Sequence, residues 1–418
     1  MDEPKKETLP RHVGQYGKAL GKWVLLAVLV GAMSGFVGSM FHMGVACATE
    51  LRGVHPWLIY CLPLAGLFIV WLYRTAHVES AGTNTVLDAV HEGKGIPWLL
   101  LPAIFIGTIL THLCGGSAGR EGAALQMGGD IGRHTAQLLR MDDKDRRLAT
   151  ICGMSAFFAA LFGTPLTATV FALEVVSVGV LYYAGFVPCI VASLVAYGVS
   201  RLFGIAPTHF AVEVPATDAV TLVKVAVLAV LAALVSILLC ETLHRAERTA
   251  KRIKNPYLRV AAGGAAVLGL TLLLRTTDYN GAGMDVITRA VETGEAVPYA
   301  FLLKLLFTAV TIACGFKGGE VVPTFFIGAT FGCAVAPLLM LPPGFAAAIG
   351  LTAVFCGAVN CPMASILLSI ELFGAEGLHC FALACGIGYM LSGYRGLYSS
   401  QTILYSKLKA EFINVHTK

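Results

Sequence analysis

The sequence predicts an all-α polytopic membrane protein made of two inverted halves with broken and re-entrant helices. Three observations predict it. Of 418 residues, 56% are hydrophobic and only 13% are charged, whereas a soluble chain is about one-quarter charged. Largely apolar runs recur from one end to the other, several of them short or interrupted by Gly and Pro. And the chain matches itself at a displacement near half its length.

In order, residues 1–22 carry Lys5, Lys6, Arg11, Lys18 and Lys22, which assigns this segment to the cytoplasm by the positive-inside rule. The apolar run 23–48 is too long for a signal-peptide core and reads as an uncleaved first span. Runs 57–72, 97–114, 148–180, 183–202 and 225–240 complete a first half, 23–244. The loop Arg140–Arg147 and the linker 245–259 are basic and are expected on the cytoplasmic side. Runs 260–274, 300–314, 323–341, 345–373 and 380–391 form a second half, 260–405, followed by a short cytoplasmic tail, 406–418. No appended regulatory domain is expected. Short and Gly/Pro-broken runs are the pattern of tilted or discontinuous helices.

The net charge of +5 does not argue for a nucleic-acid partner, because the basic residues sit in loops between apolar runs. The twelve Cys form no CxxC pair and read as small membrane-core residues. No cofactor and no metal are expected.

The repeat is the most informative feature. Displaced by 201, Ala81-Gly82 falls on Ala282-Gly283, and Pro97 on Pro298. Displaced by 200, Thr111, Cys114 and Gly115 meet Thr311, Cys314 and Gly315, and Gly128-x-x-x-Gly132 meets Gly328-x-x-x-Gly332. Displaced by 197, Pro165 and Glu174 meet Pro362 and Glu371. The segment after the first break ends in the basic loop Arg140–Arg147, whereas its counterpart Leu341-Pro342-Pro343-Gly344 has no basic residue. The two ends therefore face opposite sides, and the halves are inverted.

The break Gly115-Gly116-Ser117-Ala118-Gly119-Arg120-Glu121-Gly122-Ala123 places an ionisable pair between apolar runs. Such a residue within a bilayer is a functional-site hypothesis by default. A helix over Ala123–Leu139 would aim free N–H groups at the break and attract anions. Glu121 is then a carboxylate that can compete with an anion, neutral when the anion is bound and ionised when it takes the anion's place. Pairing with Arg120 is its plain alternative. Glu320 lies in the second break, where it can supply a proton relay or pair with Lys317. The helix-start positions Gly122, Ala123, Val321 and Val322 are candidate anion-binding sites, as are the donors Thr83 and Asn84. Glu174 and Glu371, at the ends of matched runs, read as headgroup-level or capping residues. Tyr398 alone reads as an interface anchor.

Gly115-Gly116-Ser117-Ala118-Gly119 also fits the G-x-S-x-G pattern of hydrolases, with His112 nearby. An intramembrane serine hydrolase is the enzyme rival. That motif belongs after a strand, however, and the second break has no Ser. No enzyme is expected.

Gly119-Arg120-Glu121-Gly122, followed by Gln126 and a glycine pair, resembles the G-R-E-G-P signature of the CLC chloride channel and transporter family. The likeness covers nearly the whole chain and implies the CLC-type inverted-topology repeat and a homodimer with one pathway per subunit. Gly82-Thr83-Asn84-Thr85-Val86 stands where chloride-selective members carry G-S-G-I-P, and Gly319-Glu320-Val321-Val322-Pro323 replaces G-x-F-x-P. Val175 occupies the place of the internal proton-transfer glutamate. These departures are similar to the fluoride/proton antiporter branch. The resemblance implies that Glu121 is the gating, proton-carrying glutamate, that Glu320 is needed for coupling, and that Tyr398 is the aromatic at the anion site. It further implies export of fluoride against protons across a bacterial inner membrane, with both termini cytoplasmic. A chloride/proton antiporter or passive anion channel of the same family is the alternative.

Overall fold

The structure, a computed structural model, describes residues 9–418, with side chains described from residue 14 onward. Residues 1–8, including Lys5 and Lys6, lie outside the described residues. The chain begins with helix α1 (Leu9–Val54), which runs unbroken through the boundary expected at residue 23. It continues through α2 (Leu62–Thr75), α3 (Thr83–Glu92), α4 (Leu100–Leu113), α5 (Glu121–Leu138), α6 (Asp143–Phe162), α7 (Pro165–Glu174) and α8 (Phe186–Leu202). The second set is α9 (Ala219–Ala250), α10 (Pro256–Leu274), α11 (Met284–Thr288), α12 (Ala300–Cys314), α13 (Val321–Leu339), α14 (Pro343–Val359), α15 (Pro362–Phe373) and α16 (Leu378–Leu391). Six helices among the described residues are long and apolar enough to cross a bilayer; α4, α12, α14, α15 and α16 are shorter.

The two sets pack alike. Helix α1 lies on α6 and α8, and α9 lies on α14 and α16. By its contacts α9 therefore belongs with the second half, although it precedes the basic linker at which the sequence divides. Helix α5 crosses α6, and α13 crosses α14, at backbone-to-backbone distance, because glycine faces glycine there. A Cβ on Gly128 or Gly132 would strike the backbone of α6, and one on Gly328 or Gly332 that of α14. In a bilayer, where water drives no helix together, such small-residue contact supplies the packing.

The apolar runs 148–180 and 345–373 each divide into two helices. Gly163 (φ +71°) and Asn360 (φ +58°) end α6 and α14 in the left-handed region, and Pro165 and Pro362 start the next helix within its first turn. Each new N-terminus is capped by the other half. The Glu371 carboxylate accepts from the N–H groups of Leu166 and Thr167 at 3.0 and 2.8 Å. Glu174 accepts from Met363 and Ala364 at 3.2 and 2.9 Å. The capping role read for both residues is thus an exchange of caps between the repeats.

The aromatic core also bridges the halves. Phe162 of α6 meets Phe325 of α13 edge-on at 6.1 Å, and Phe325 meets Phe355 of α14 at 5.0 Å. Among the described residues, a small sheet joins the tail to the segment after α7. Strand β2 (Thr402–Tyr405) pairs in parallel with β1 (Ser177–Val178) and antiparallel with β3 (Phe412–His416).

Candidate functional site

The two breaks meet at a single point. Gly119 N–H donates to the Gly319 carbonyl at 2.7 Å, and Gly319 N–H donates to the Gly119 carbonyl at 2.8 Å. The same reciprocity recurs one layer away. The Thr111 hydroxyl accepts from the N–H of Lys317, and the Thr311 hydroxyl accepts from that of Ser117, at 3.2 and 3.1 Å. These exchanged bonds bring the N-termini of α5 and α13 together in the interior, where their free N–H groups favour negative charge.

A carboxylate already lies there. Glu121 is fully buried, and its Oε2 accepts from the N–H of Arg120 at 2.9 Å and from that of Val322, on α13, at 3.3 Å. Its Oε1 has no hydrogen-bond partner, and Arg120 Nε stands 3.9 Å off. The pairing with Arg120 is therefore long, and the shorter contacts are backbone amides. Pro323 has no N–H, so Val321 and Val322 supply the free donors of the first turn of α13. Glycine is required where the carboxylate folds back: a Cβ on Gly119 would collide with Glu121 Oε2.

Two cavities lie beside the breaks, lined by neighbours of Glu121 though not by Glu121 itself. One, of about 490 Å³, is lined by Arg52, His112, Arg120, Asp285 and Val322. The other, of about 450 Å³, is lined by Thr83, Asn84, Gln126, Lys251, Glu320 and Tyr398. Lys251 and Arg259 of the basic linker stand at the second cavity. The structure thus brings Thr83, Asn84, Glu320 and Tyr398 to one cavity and Val322 to the other. Gly122, Ala123 and Val321 are buried and line neither cavity.

Individual placements refine the sequence reading. The glycine bridge aligns Glu320 with Arg120 rather than with Glu121, so the two carboxylates are one residue out of register. Both Arg120 and Glu320 immediately precede a helix, α5 and α13. Lys317 lies over the Tyr73 ring at 4.0 Å, and no ion pair with Glu320 forms among the described residues. Asn84 holds the segment after Tyr398: its Nδ2 donates to Ser399 Oγ at 3.0 Å, and its Oδ1 accepts from Ser400 N–H at 3.1 Å. One Nδ2 hydrogen stays available. Tyr398 is 2% exposed and its hydroxyl has no partner, a buried donor facing a cavity rather than an interface anchor. Val175 is buried, and its carbonyl accepts from Gln401 Nε2 at 3.0 Å. Ser117 Oγ pairs with Thr308 Oγ1 at 3.0 Å, and His112 Nδ1 lies 2.9 Å from the Thr108 carbonyl. The hydroxyl and one imidazole nitrogen of the hydrolase reading therefore have other partners, and His112 Nε2 has none.

Sequence reasoning left Gln126 out of the site. Its signal was available, a carboxamide five residues beyond Glu121 in the glycine-rich part of the helix.

A family model described as voltage gated chloride channel matches residues 65–393. A chloride/fluoride channel protein of Pseudomonas syringae pv. tomato is 38% identical over 93% of this chain and 88% of its own length. The H(+)/Cl(-) exchange transporter ClcA of Vibrio cholerae is 27% identical over 84% of this chain and 81% of its own. The crystal structure of a CLC-type fluoride/proton antiporter superposes with a TM-score of 0.89 at 32% identity, covering 92% of this chain and 98% of that one.

Proposed function

We infer that this chain, which belongs to the voltage-gated chloride channel family, is a secondary transporter that exports fluoride in exchange for protons. One observation carries the mechanism: the Glu121 carboxylate occupies the N–H of Val322 at the start of α13, a position that suits a halide equally well. Glu121 ionised closes the path between the two cavities. Glu121 protonated gives up its claim on the amide, and fluoride takes the place. Each proton accepted thereby admits an anion.

The remaining roles follow from position. Glu320, in the cavity beside the basic linker, exchanges protons with the cytoplasm. Tyr398 and Thr83 donate to fluoride there, Asn84 adds its spare amide hydrogen, and Gly122, Ala123, Val321 and Val322 supply the polarised helix starts. Fluoride is small and strongly hydrated, so a site for it must offer close, strong donors, and a buried unpartnered hydroxyl such as that of Tyr398 is one. Hydrogen fluoride crosses membranes uncharged and dissociates inside; an inward proton gradient then drives the trapped anion out.

The two halves act as the inverted repeat, with α9 counted in the second half by its packing; the basic linker 245–259 marks the cytoplasmic face, and segments 1–22 and 406–418 lie on that side of a bacterial inner membrane. The functional unit is a homodimer. Resemblance to fluoride-handling relatives at 38% and 32% identity, against 27% for a chloride exchanger, supports fluoride over chloride.

Efflux from liposomes loaded with either halide tests the selectivity. Fluoride is expected to leave about tenfold faster or more, the worth of one charge-assisted hydrogen bond of roughly 1.5–3 kcal/mol. Equal rates would defeat the fluoride reading.

A further inference from the structure

We propose that Gln126 is a proton-side residue of the transport site, whose Oε1 holds the water that carries protons between Glu320 and Glu121. The proposal rests on the antiport reading above and adds to it a division of labour within one cavity.

The orientation of the amide is settled by its neighbours. Gln126 Nε2 lies 3.1 Å from the Gly122 carbonyl, an acceptor only, so the nitrogen must face it. The same nitrogen reaches Thr83 Oγ1 at 3.3 Å. Both amide hydrogens are thereby taken, and Oε1 is turned away from them. Gln126 is 4% exposed, and its Oε1 has no partner in the chain. It lines the cavity that also contains Glu320 and Tyr398. An acceptor oxygen left bare in such a place is costly unless a donor fills it.

The character of that occupant follows from sign. A carbonyl oxygen repels fluoride and welcomes an O–H group. Water suits it, since it can accept a proton from one side and release one to the other, and a polar cavity of about 450 Å³ has room for it. The Tyr398 hydroxyl, also buried and unpartnered, is the complementary group, because it can donate to an anion. Thr83 joins the two functions. Its oxygen accepts from Gln126 at 3.3 Å, while its hydrogen is directed at the Gly122 carbonyl 3.5 Å away, a contact long enough to yield to an anion. Within the cavity, Tyr398 thus presents a donor to the anion and Gln126 an acceptor to the proton carrier. Arg120, next to Glu121 in the chain, lines the other cavity, and its guanidinium offers only donors.

The test is the ratio of fluoride to proton flux in liposomes containing the full-length protein. Gln126→Met, similar in length but without the acceptor, is expected to raise that ratio about tenfold, the factor that one hydrogen bond is worth. Gln126→Glu keeps an acceptor oxygen at the position and exchanges the amide for an ionisable carboxylate, so its ratio is expected to stay at or below that of the unmodified protein. An unchanged ratio in Gln126→Met would overturn the proposal, as would a ratio in Gln126→Glu raised by the full factor. The Glu variant decides the matter if the Met variant does not assemble. Failure of the unmodified protein to move protons at all would instead overturn the antiport reading, and so the two failures are distinguishable.

Discussion

Glu121→Gln is expected to abolish proton uptake driven by an outward fluoride gradient. Glutamine has the same shape, and its oxygen can still accept from the N–H groups of Arg120 and Val322 that hold the carboxylate now. It cannot take up or release a proton in the physiological range. The variant resembles the protonated state permanently, so fluoride can still reach α13 while the exchange partner is lost. A positioned proton-transfer group typically contributes a factor of about 10²–10⁴, and the fall in proton flux should lie in that range. A pH electrode outside fluoride-loaded liposomes reads it directly. Retained proton pumping would show that the proton travels by a route that avoids Glu121.

The second large effect is structural. Gly319→Ala should prevent the halves from closing on each other. A methyl group there would overlap Gly122 N and approach Glu121 N to 3.1 Å, and both are backbone atoms of the opposite repeat. No rotamer change relieves it. The repeats must part, which weakens the paired Gly119–Gly319 bonds at 2.7 and 2.8 Å and draws Glu121 away from Val322. Overpacking alone costs about 1–3 kcal/mol, and the lost bonds add to it. Thermal unfolding in detergent is expected to occur at a clearly lower temperature, with fluoride flux lost. Gly198→Ala, where a Cβ meets nothing within 4 Å, serves as the control. Equal stability of the two variants would contradict the close crossing.

Much of this was legible in the chain before any coordinates. The match of Thr111 with Thr311 became a pair of exchanged hydrogen bonds, and that of Glu174 with Glu371 a pair of exchanged caps. Repeats reveal themselves in sequence because each half must present the same groups to the other. The break in each of the two longest runs was also written there, as Gly163-Thr164-Pro165 and Asn360-Cys361-Pro362, but hydropathy alone passes over a one-residue stop. The displacement of 200 around the breaks already put Glu320 opposite Arg120, and the Gly119–Gly319 bridge keeps that register. What hydropathy and spacing could not supply was long-range partnership. The pairing of Thr402 with Ser177 joins residues far apart in the chain, and nothing local announces it. Tyr398 owes its buried, unpartnered hydroxyl to a segment pinned by Asn84, a contact between distant elements that no periodicity encodes.

The central claim is that a carboxylate and a fluoride ion compete for the amide at the start of α13. Fluoride affinity measured by calorimetry on the purified protein, from neutral to mildly acidic pH, tests it most directly. Protonation empties the position, so affinity should strengthen as pH falls, approaching about tenfold per pH unit if one proton is taken up with each fluoride. In Glu121→Gln the affinity should not depend on pH. A flat profile in the unmodified protein, or the same slope in both proteins, would contradict the account.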